Sequence, residues 1–537
     1  MLSKVSEPRI RAIRWIIAIA WIIMILSLFY DPITHNWTDP NNLFSPLRDS
    51  LPCVLVQGEC LPLHKTYPIG ARVFWGMVIP SAIAILLIFG HETWRRICPL
   101  YFLSQIPRAL GLKPLLNIDN NHWLVKNHFY LQFCLLFIDL NSRILFINSA
   151  RLALGIFLLT IILSAITIVF LYGGRSWCHY VCPFGIVQII FTGPRGLLGS
   201  NADSPPGSIT QSMCRTVDRN GAETTACVGC KSACFDIDAE KAYWEDLHKP
   251  GRRLVQYGYL ELVISYFVYY RLYAGNFNYY FSGAWTHEEN QLANIWKPGF
   301  YIGDRAINIP KLVAVPLTFL LGAIVTYWIC RKVEKLYSAY LKRKHPQISS
   351  QQILHRIFSL CTFFAFNCFF IYGGRPEILR LPIVVQLLFN AFVVLVSAIW
   401  LVRTWNRSEE KYKKDSLAYS FRRQLEKSPI NLSSLLNQRS LNDLTSDELF
   451  LLASVIPKFR QKERLQIYKA IFKDGLVQQN FTSADSLSAL KEIRSHLGLN
   501  AESHYSILSE IIGEQPELLY QNQPQTKNKL CNHLIQA

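Results

Sequence analysis

Apolar residues gather along this chain into eight long runs separated by polar segments. The runs cover about residues 13–30, 72–90, 128–147, 152–172, 254–273, 311–330, 354–372 and 382–402. Each approaches the roughly 20 residues that an α-helix needs to cross a bilayer core. Asp139, Asn141 and Arg143 interrupt the third run, and the fifth is rich in Tyr and holds Glu261. A membrane barrel would show short alternating segments instead, so the runs predict helices. The expected fold class is an all-α polytopic membrane protein with about eight transmembrane helices. Past Arg403 the pattern turns amphipathic. Leu449, Phe450, Leu452, Val455 and Ile456 form one set, Leu465, Tyr468, Ile471 and Phe472 a second, and Leu487, Leu490, Ile493 and Leu497 a third. Such spacing is helical. Thr445-Ser446-Asp447-Glu448 fits a capping box, and Thr482-Ser483-Ala484-Asp485 is a second cap signal. The chain therefore divides into 1–173 (helices one to four), 174–253 (a cysteine-rich loop), 254–403 (helices five to eight) and 404–537, a soluble helical C-terminal domain read as a small interaction module.

Composition agrees with the pattern. At 51% hydrophobic and 17% charged, the chain is more apolar than a usual soluble domain. The net charge of +18 lies beside the apolar runs. Basic residues crowd the N-terminal segment and the loops after the second, fourth and sixth runs, whereas the loops after the first and fifth are nearly balanced. The short loop with Arg375 and Arg380 fits this alternation least well. By the positive-inside rule, both termini and the cysteine-rich loop are cytoplasmic, in a bacterial-type inner or internal membrane. The first run is too long for a signal-peptide core and no small-x-small site closes it, so it reads as a retained helix. No basic patch carries stacking aromatics outside the runs, so a nucleic-acid partner is not expected.

The segments after the second and fourth runs carry related text. One reads Phe89-Gly90, Cys98-Pro99-Leu100, Gln105 and Pro107-Arg108-Ala109-Leu110-Gly111. The other reads Gly173-Gly174, Cys182-Pro183-Phe184, Gln188 and Pro194-Arg195-Gly196-Leu197-Leu198-Gly199. We read an internal repeat, a helix-pair unit with a Cys-Pro loop at its cytoplasmic end. Repeats in membrane proteins often place a site at their interface.

Cysteine spacing supplies the chemistry. Cys178-His179-Tyr180-Val181-Cys182-Pro183 is a C-x3-C-P pair. Cys227, Cys230 and Cys234 form a C-x2-C-x3-C array preceded by Cys214. Thiolates on a short loop wrap a soft metal centre while backbone N–H groups bond the sulfurs. Cys214, Cys227, Cys230 and Cys234 are thus candidate ligands of one [4Fe–4S] cluster. Structural zinc suits the same spacing, and the membrane context with its nearby C-x3-C-P pair favours iron–sulfur. Cys98, Cys178 and Cys182 are candidate ligands of a second centre. A disulfide fits poorly on the reducing side of a membrane.

Trp177-Cys178-His179-Tyr180-Val181-Cys182-Pro183-Phe184-Gly185 resembles the mark of the membrane-bound polyferredoxin-like family. That family includes the NapH-type quinol dehydrogenase subunits of periplasmic nitrate reduction. The regulator NosR and the accessory protein CcoG share the motif. The resemblance covers roughly residues 70–275 and is specific at 172–200. It implies 4Fe–4S clusters, membrane electron transport, a quinone as candidate partner and a further redox protein. A quinol dehydrogenase-type oxidoreductase component is one expectation. A membrane-anchored redox sensor or accessory protein that binds partners through its tail is the other. Two departures stand out. Trp94 occupies the leading-cysteine position of the first motif, while Thr224 and Phe235 replace a cysteine and a proline of the ferredoxin array. The seven cysteines allow one full cluster and a second with a non-cysteine ligand.

Other residues carry weaker signals. Cys53 and Cys60 are a candidate disulfide or a free pair, and Cys134, Cys330, Cys361 and Cys368 read as packing residues, with Cys531 incidental. His91, His128, His179 and His355 lie near helix ends without the pairing that a b-type haem needs. Glu261, an intramembrane carboxylate, is a functional candidate, with Tyr257 as one neighbour able to satisfy it.

Overall fold

A computed structural model describes residues 5–49, 52–199, 214–217, 223–225, 227–231, 234–288, 291–373, 375–427, 441, 444, 448–449, 461–477 and 484–514. The apolar runs form helices: α1 (Glu7–Phe29), α2 (Ile69–His91), α3 (His122–Ile147) and α4 (Arg151–Tyr172). A shorter α5 (Pro183–Thr192) follows, then α6 (Arg252–Ala274), α7 (Lys311–Lys344), α8 (Ser350–Gly373) and α9 (Ile383–Trp405). Among the described residues seven of these, all but α5 and α6, are long and apolar enough to cross a membrane.

The expected fifth span does form a helix, but α6 falls outside the apolar seven. The reason lies in its surroundings. Sixteen of its 23 residues are buried, whereas α4 buries five of 22 and turns the rest of its apolar surface outward. A helix enclosed by protein needs no lipid-facing side, so it can carry polar groups that find partners on its neighbours. Gln256 Nε2 donates to the Phe358 carbonyl at 3.0 Å and to Thr362 Oγ1 at 2.9 Å. Glu261 accepts from Ser265 Oγ and Thr326 Oγ1, both at 2.6 Å. Gly322 makes this possible, because a Cβ there would lie 2.1 Å from Glu261 Oε1. Tyr257, the neighbour expected to satisfy Glu261, instead donates to Glu334 at 2.9 Å.

Among the described residues, three antiparallel two-stranded hairpins add to the all-helical expectation: 53–56 with 59–62, 215–217 with 223–225, and 298–302 with 305–310. Each is too short to leave a strand signature in the sequence. The first is closed by a Cys53–Cys60 disulfide.

The residues from 407 onward belong to a separate compact unit. Its described helices are α10 (Glu409–Lys427), α11 (Gln461–Val477), α12 (Ala484–His496) and α13 (Ala501–Glu514). They share their own core, in which Leu417, Phe421, Tyr468, Phe472, Leu490 and Ile493 are buried. Tyr468 and His504 hydrogen-bond inside it at 2.8 Å. The capping residues Thr445, Ser446, Asp447, Thr482 and Ser483, the apolar Phe450, Leu452, Val455 and Ile456, and Cys531 lie outside the described residues.

Candidate metal centre

Two turns build the centre, and their backbones match. Each begins at a left-handed glycine that ends a long apolar helix: Gly90 at φ 77°, ψ 170° and Gly173 at φ 72°, ψ −178°. Such angles suit a residue without Cβ. Four residues on come Trp94 and Trp177. Each turn then ends on a cysteine that caps the next helix, with proline at its first position. Cys98 has φ −58°, ψ 118° and Cys182 has φ −53°, ψ 120°. Proline tolerates that first position because its missing N–H would have no helical partner.

The two turns differ by one residue. Cys98 N–H closes a four-residue turn on the Trp94 carbonyl at 2.8 Å, whereas Cys182 N–H reaches back five residues to the Trp177 carbonyl, also at 2.8 Å. The second turn is a π-helix, Trp177–Val181, and π insertions often mark functional sites. Trp94 therefore corresponds to Trp177 and not, as sequence spacing suggested, to Cys178. Cys178 lies within the longer turn, directly after Trp177. Gln132, fully buried on α3, clamps this turn by donating to the Cys182 and Cys178 carbonyls at 3.1 and 3.5 Å.

The seven candidate cysteines collect into two groups. Cys98, Cys178 and Cys182 line one cavity together and interact electrostatically with one another. Cys214, Cys227, Cys230 and Cys234 form the second group by the same criterion. The cysteine loop of the second group seats on the Gly173-Gly174 turn. A Cβ on Gly174 would lie 3.0 Å from Cys230 Sγ and 2.7 Å from Val228. Tyr180 OH anchors the loop by donating to the Cys230 carbonyl at 3.0 Å.

Between the groups sits a buried ion network. Arg95 Nη1 donates to both Asp236 oxygens at 3.1 and 3.0 Å, and Arg175 approaches Asp236 at 3.4 Å. His179 Nε2 lies 3.3 Å from Asp236 and 3.7 Å from Cys234 Sγ. Burial alone would raise the Asp236 carboxyl, but Arg175 and Arg95 overcome it and hold the group well below the carboxylate range. Burial, followed by the Arg95 charge, lowers His179 to about 3. The network thus holds two guanidinium charges against one carboxylate, with neutral imidazole. Arg95 interacts with Cys178 of one group and Cys234 of the other.

These residues fit a thiolate-held cluster. Burial pushes the Cys98 thiol up to about 11 and the Cys230 thiol to about 12. It likewise raises Cys178, Cys182, Cys214 and Cys234. Buried thiolates this unfavourable need a metal cation to exist, and metal binding drives their deprotonation. Donors are already aimed inward. Backbone N–H groups of Leu100 and Tyr101 bond Cys98, and those of Phe184 and Gly185 bond Cys182. The buried indole nitrogens of Trp94 and Trp177 have no hydrogen-bond partner among the described residues. Sulfur atoms of a bound cluster are acceptors of the kind such groups lack.

The cavity measures about 580 Å³ and opens among α1, α2, α3, α4 and α6. Its wall is mostly apolar, and its polar members include Ser81 on α2, Asp139 and Arg143 on α3, Gln188 on α5, and the three cysteines. The guanidinium of Arg143 stacks over Trp75 at 4.2 Å and Tyr266 at 4.6 Å. The histidines weighed for haem go elsewhere. His355 is engaged by Tyr243 and Thr404, His91 by the Phe235 carbonyl and His128 by the Val125 carbonyl. Spacing had missed Asp236, although it lies two residues after Cys234. Arg95 and Gln132 were equally silent, since a lone polar residue carries no pattern.

Comparison with known proteins agrees with this chemistry. A family model described as a 4Fe-4S binding domain matches residues 154–201. That stretch contains most of α4, the π turn with Cys178 and Cys182, and α5. The match supports a [4Fe–4S] cluster on this chain. No curated protein and no solved structure matches the chain.

Proposed function

We propose that this chain is an integral membrane electron carrier that holds two iron–sulfur clusters, one on Cys98, Cys178 and Cys182 and one on Cys214, Cys227, Cys230 and Cys234, and that takes electrons from a membrane quinol. The observation that carries this reading is the wall of the cavity: three thiols stand at one end of a quinone-sized apolar chamber within reach of lipid-soluble substrates. Its volume lies within the range of small-molecule sites. A quinol oxidised there releases two electrons and two protons. Arg143 would hold a quinone oxygen, and Asp139, one helical turn away, would accept a proton. A bound cluster supplies one-electron transfer. The chain's own residues set its electrostatics: Arg95, Arg175 and Asp236 leave one net positive charge between the two thiol groups and favour the reduced, more negative state.

The second group supports an exit. Cys227 is exposed, as is Val228 beside it at 52%. A cluster there would come close enough to the surface for a redox partner to dock. In this reading the two Cys-Pro turns are a duplicated unit, and the cysteine face is cytoplasmic. The independent core of the C-terminal unit favours a second reading, in which the clusters report redox state and the tail passes it to a partner.

Anaerobic purification in detergent with iron, zinc and sulfide analysis tests the proposal. The expected result is about eight iron and eight sulfide per chain, with cluster EPR signals that a short-chain quinol induces. Stoichiometric zinc without sulfide would sink the redox reading. Clusters that quinol cannot reduce would leave the sensor reading.

A further inference from the structure

The one-residue difference between the two Cys-Pro turns has a chemical consequence. Two copies of the longer turn would bring four thiols to the cavity end, two from each. The shorter turn has only Cys98, because it is one residue shorter and runs Trp94-Arg95-Arg96-Ile97-Cys98, with no cysteine after the tryptophan. Among the described residues of the wall, Cys98, Cys178 and Cys182 are the only cysteines and no histidine is present. Cys214, Cys227, Cys230 and Cys234 are grouped with one another, so none is spare. The indole of Trp94 lines the same wall.

We propose that the cavity-side centre is a three-thiolate site, so that the fourth iron of its cluster has no cysteine ligand and exchanges with free ferrous ion. This rests on the two-cluster reading above. A corner iron held only by sulfide is released on oxidation. The four-iron cluster at charge 2+ loses one electron to an external one-electron oxidant and one Fe2+, leaving a three-iron cluster at charge 1+. Thiol reductant with ferrous ion reverses the step. The four-cysteine site, with a thiolate for every iron, resists it.

The anaerobic full-length protein is titrated with ferricyanide, with EPR and released ferrous ion as readouts. Wild type should give the near-isotropic signal of an oxidised three-iron cluster together with about one released ferrous ion per chain, both reversed by iron and dithiothreitol. Cys98→Ser should abolish the signal and Cys227→Ser should keep it. A protein that holds about eight iron yet shows no three-iron signal would overturn the inference and leave the two-cluster reading intact. A signal that survives Cys98→Ser also overturns it, since it would come from the four-cysteine site. About four iron per chain would remove the two-cluster reading and this inference with it. A wild type without the signal is decisive even where a variant does not fold, and where Cys98→Ser does not fold Cys182→Ser makes the same assignment.

Discussion

Asp236 is the residue on which the centre turns. Its carboxylate is nearly inaccessible at 1% side-chain exposure and faces Arg95, Arg175 and His179 at once. Removing a single partner from such a set strands the others. Asp236→Asn keeps the shape but leaves two buried guanidinium groups without a counter-charge, which costs about 3–5 kcal/mol. The same change makes the space between the thiol groups one unit more positive. It should therefore raise the reduction potential of both clusters, because reduction adds negative charge there. Thermal denaturation in detergent and a potentiometric EPR titration check the two effects. A destabilised protein with unchanged potentials would mean that Asp236 is only structural. The cysteines that Asp236 serves were legible from spacing alone, since C-x3-C-P and C-x2-C-x3-C are rare by chance. Asp236 was not, because one acid after a cysteine has no period or motif to announce it. Its role comes from Arg95 and Arg175, brought in from turns 141 and 61 residues away in sequence.

At the scale of elements, the two Cys-Pro turns are the informative pair. Their related text was readable as a repeat, yet aligning it by cysteines set Trp94 against Cys178. Only backbone hydrogen bonds reveal the register, because a π insertion leaves the flanking residues unchanged. The shorter turn is thus a natural version of the longer one with Cys178 removed, and both end in the same cap geometry. Deleting Cys178 should then convert the π turn into an α turn without disturbing Gly173, Trp177 or Cys182. The deletion variant is expected to remain monodisperse in detergent while losing about half its iron. Cys178→Ala, which retains the π turn, should lose the same iron. Aggregation of the deletion variant alone would mean that Gln132 and its neighbours hold the longer turn in place and that the two turns are not interchangeable.

For the whole molecule, the count of crossings decides whether the C-terminal unit shares a face with the cysteines. Hydropathy marked eight runs, and seven of them are apolar enough to span by composition. Run length was legible because lipid-facing helices must be apolar on their outer side. The standing of α6 was less so, because an enclosed helix is freed from that demand and can hold Glu261, Gln256 and its many tyrosines. Burial of sixteen of its 23 residues among α7 and α8 argues that it crosses with them, since its polar groups are met by protein on all sides. If α6 crosses, the number of spans is even and both ends of the chain lie on one side, with the 298–310 hairpin on the other. If α6 does not cross, the hairpin joins the N-terminal side and the C-terminal unit moves to the opposite one. Epitope tags at the N-terminus, at the hairpin turn and at the C-terminus, probed by protease in sealed vesicles, separate the two cases. The expected result is that the terminal tags are cut together and the hairpin tag is cut only from the other face. Cys227, which follows four spans, would lie on the N-terminal side in either case, and that outcome would put the C-terminal unit there with it, where the basic loops favour the cytoplasm.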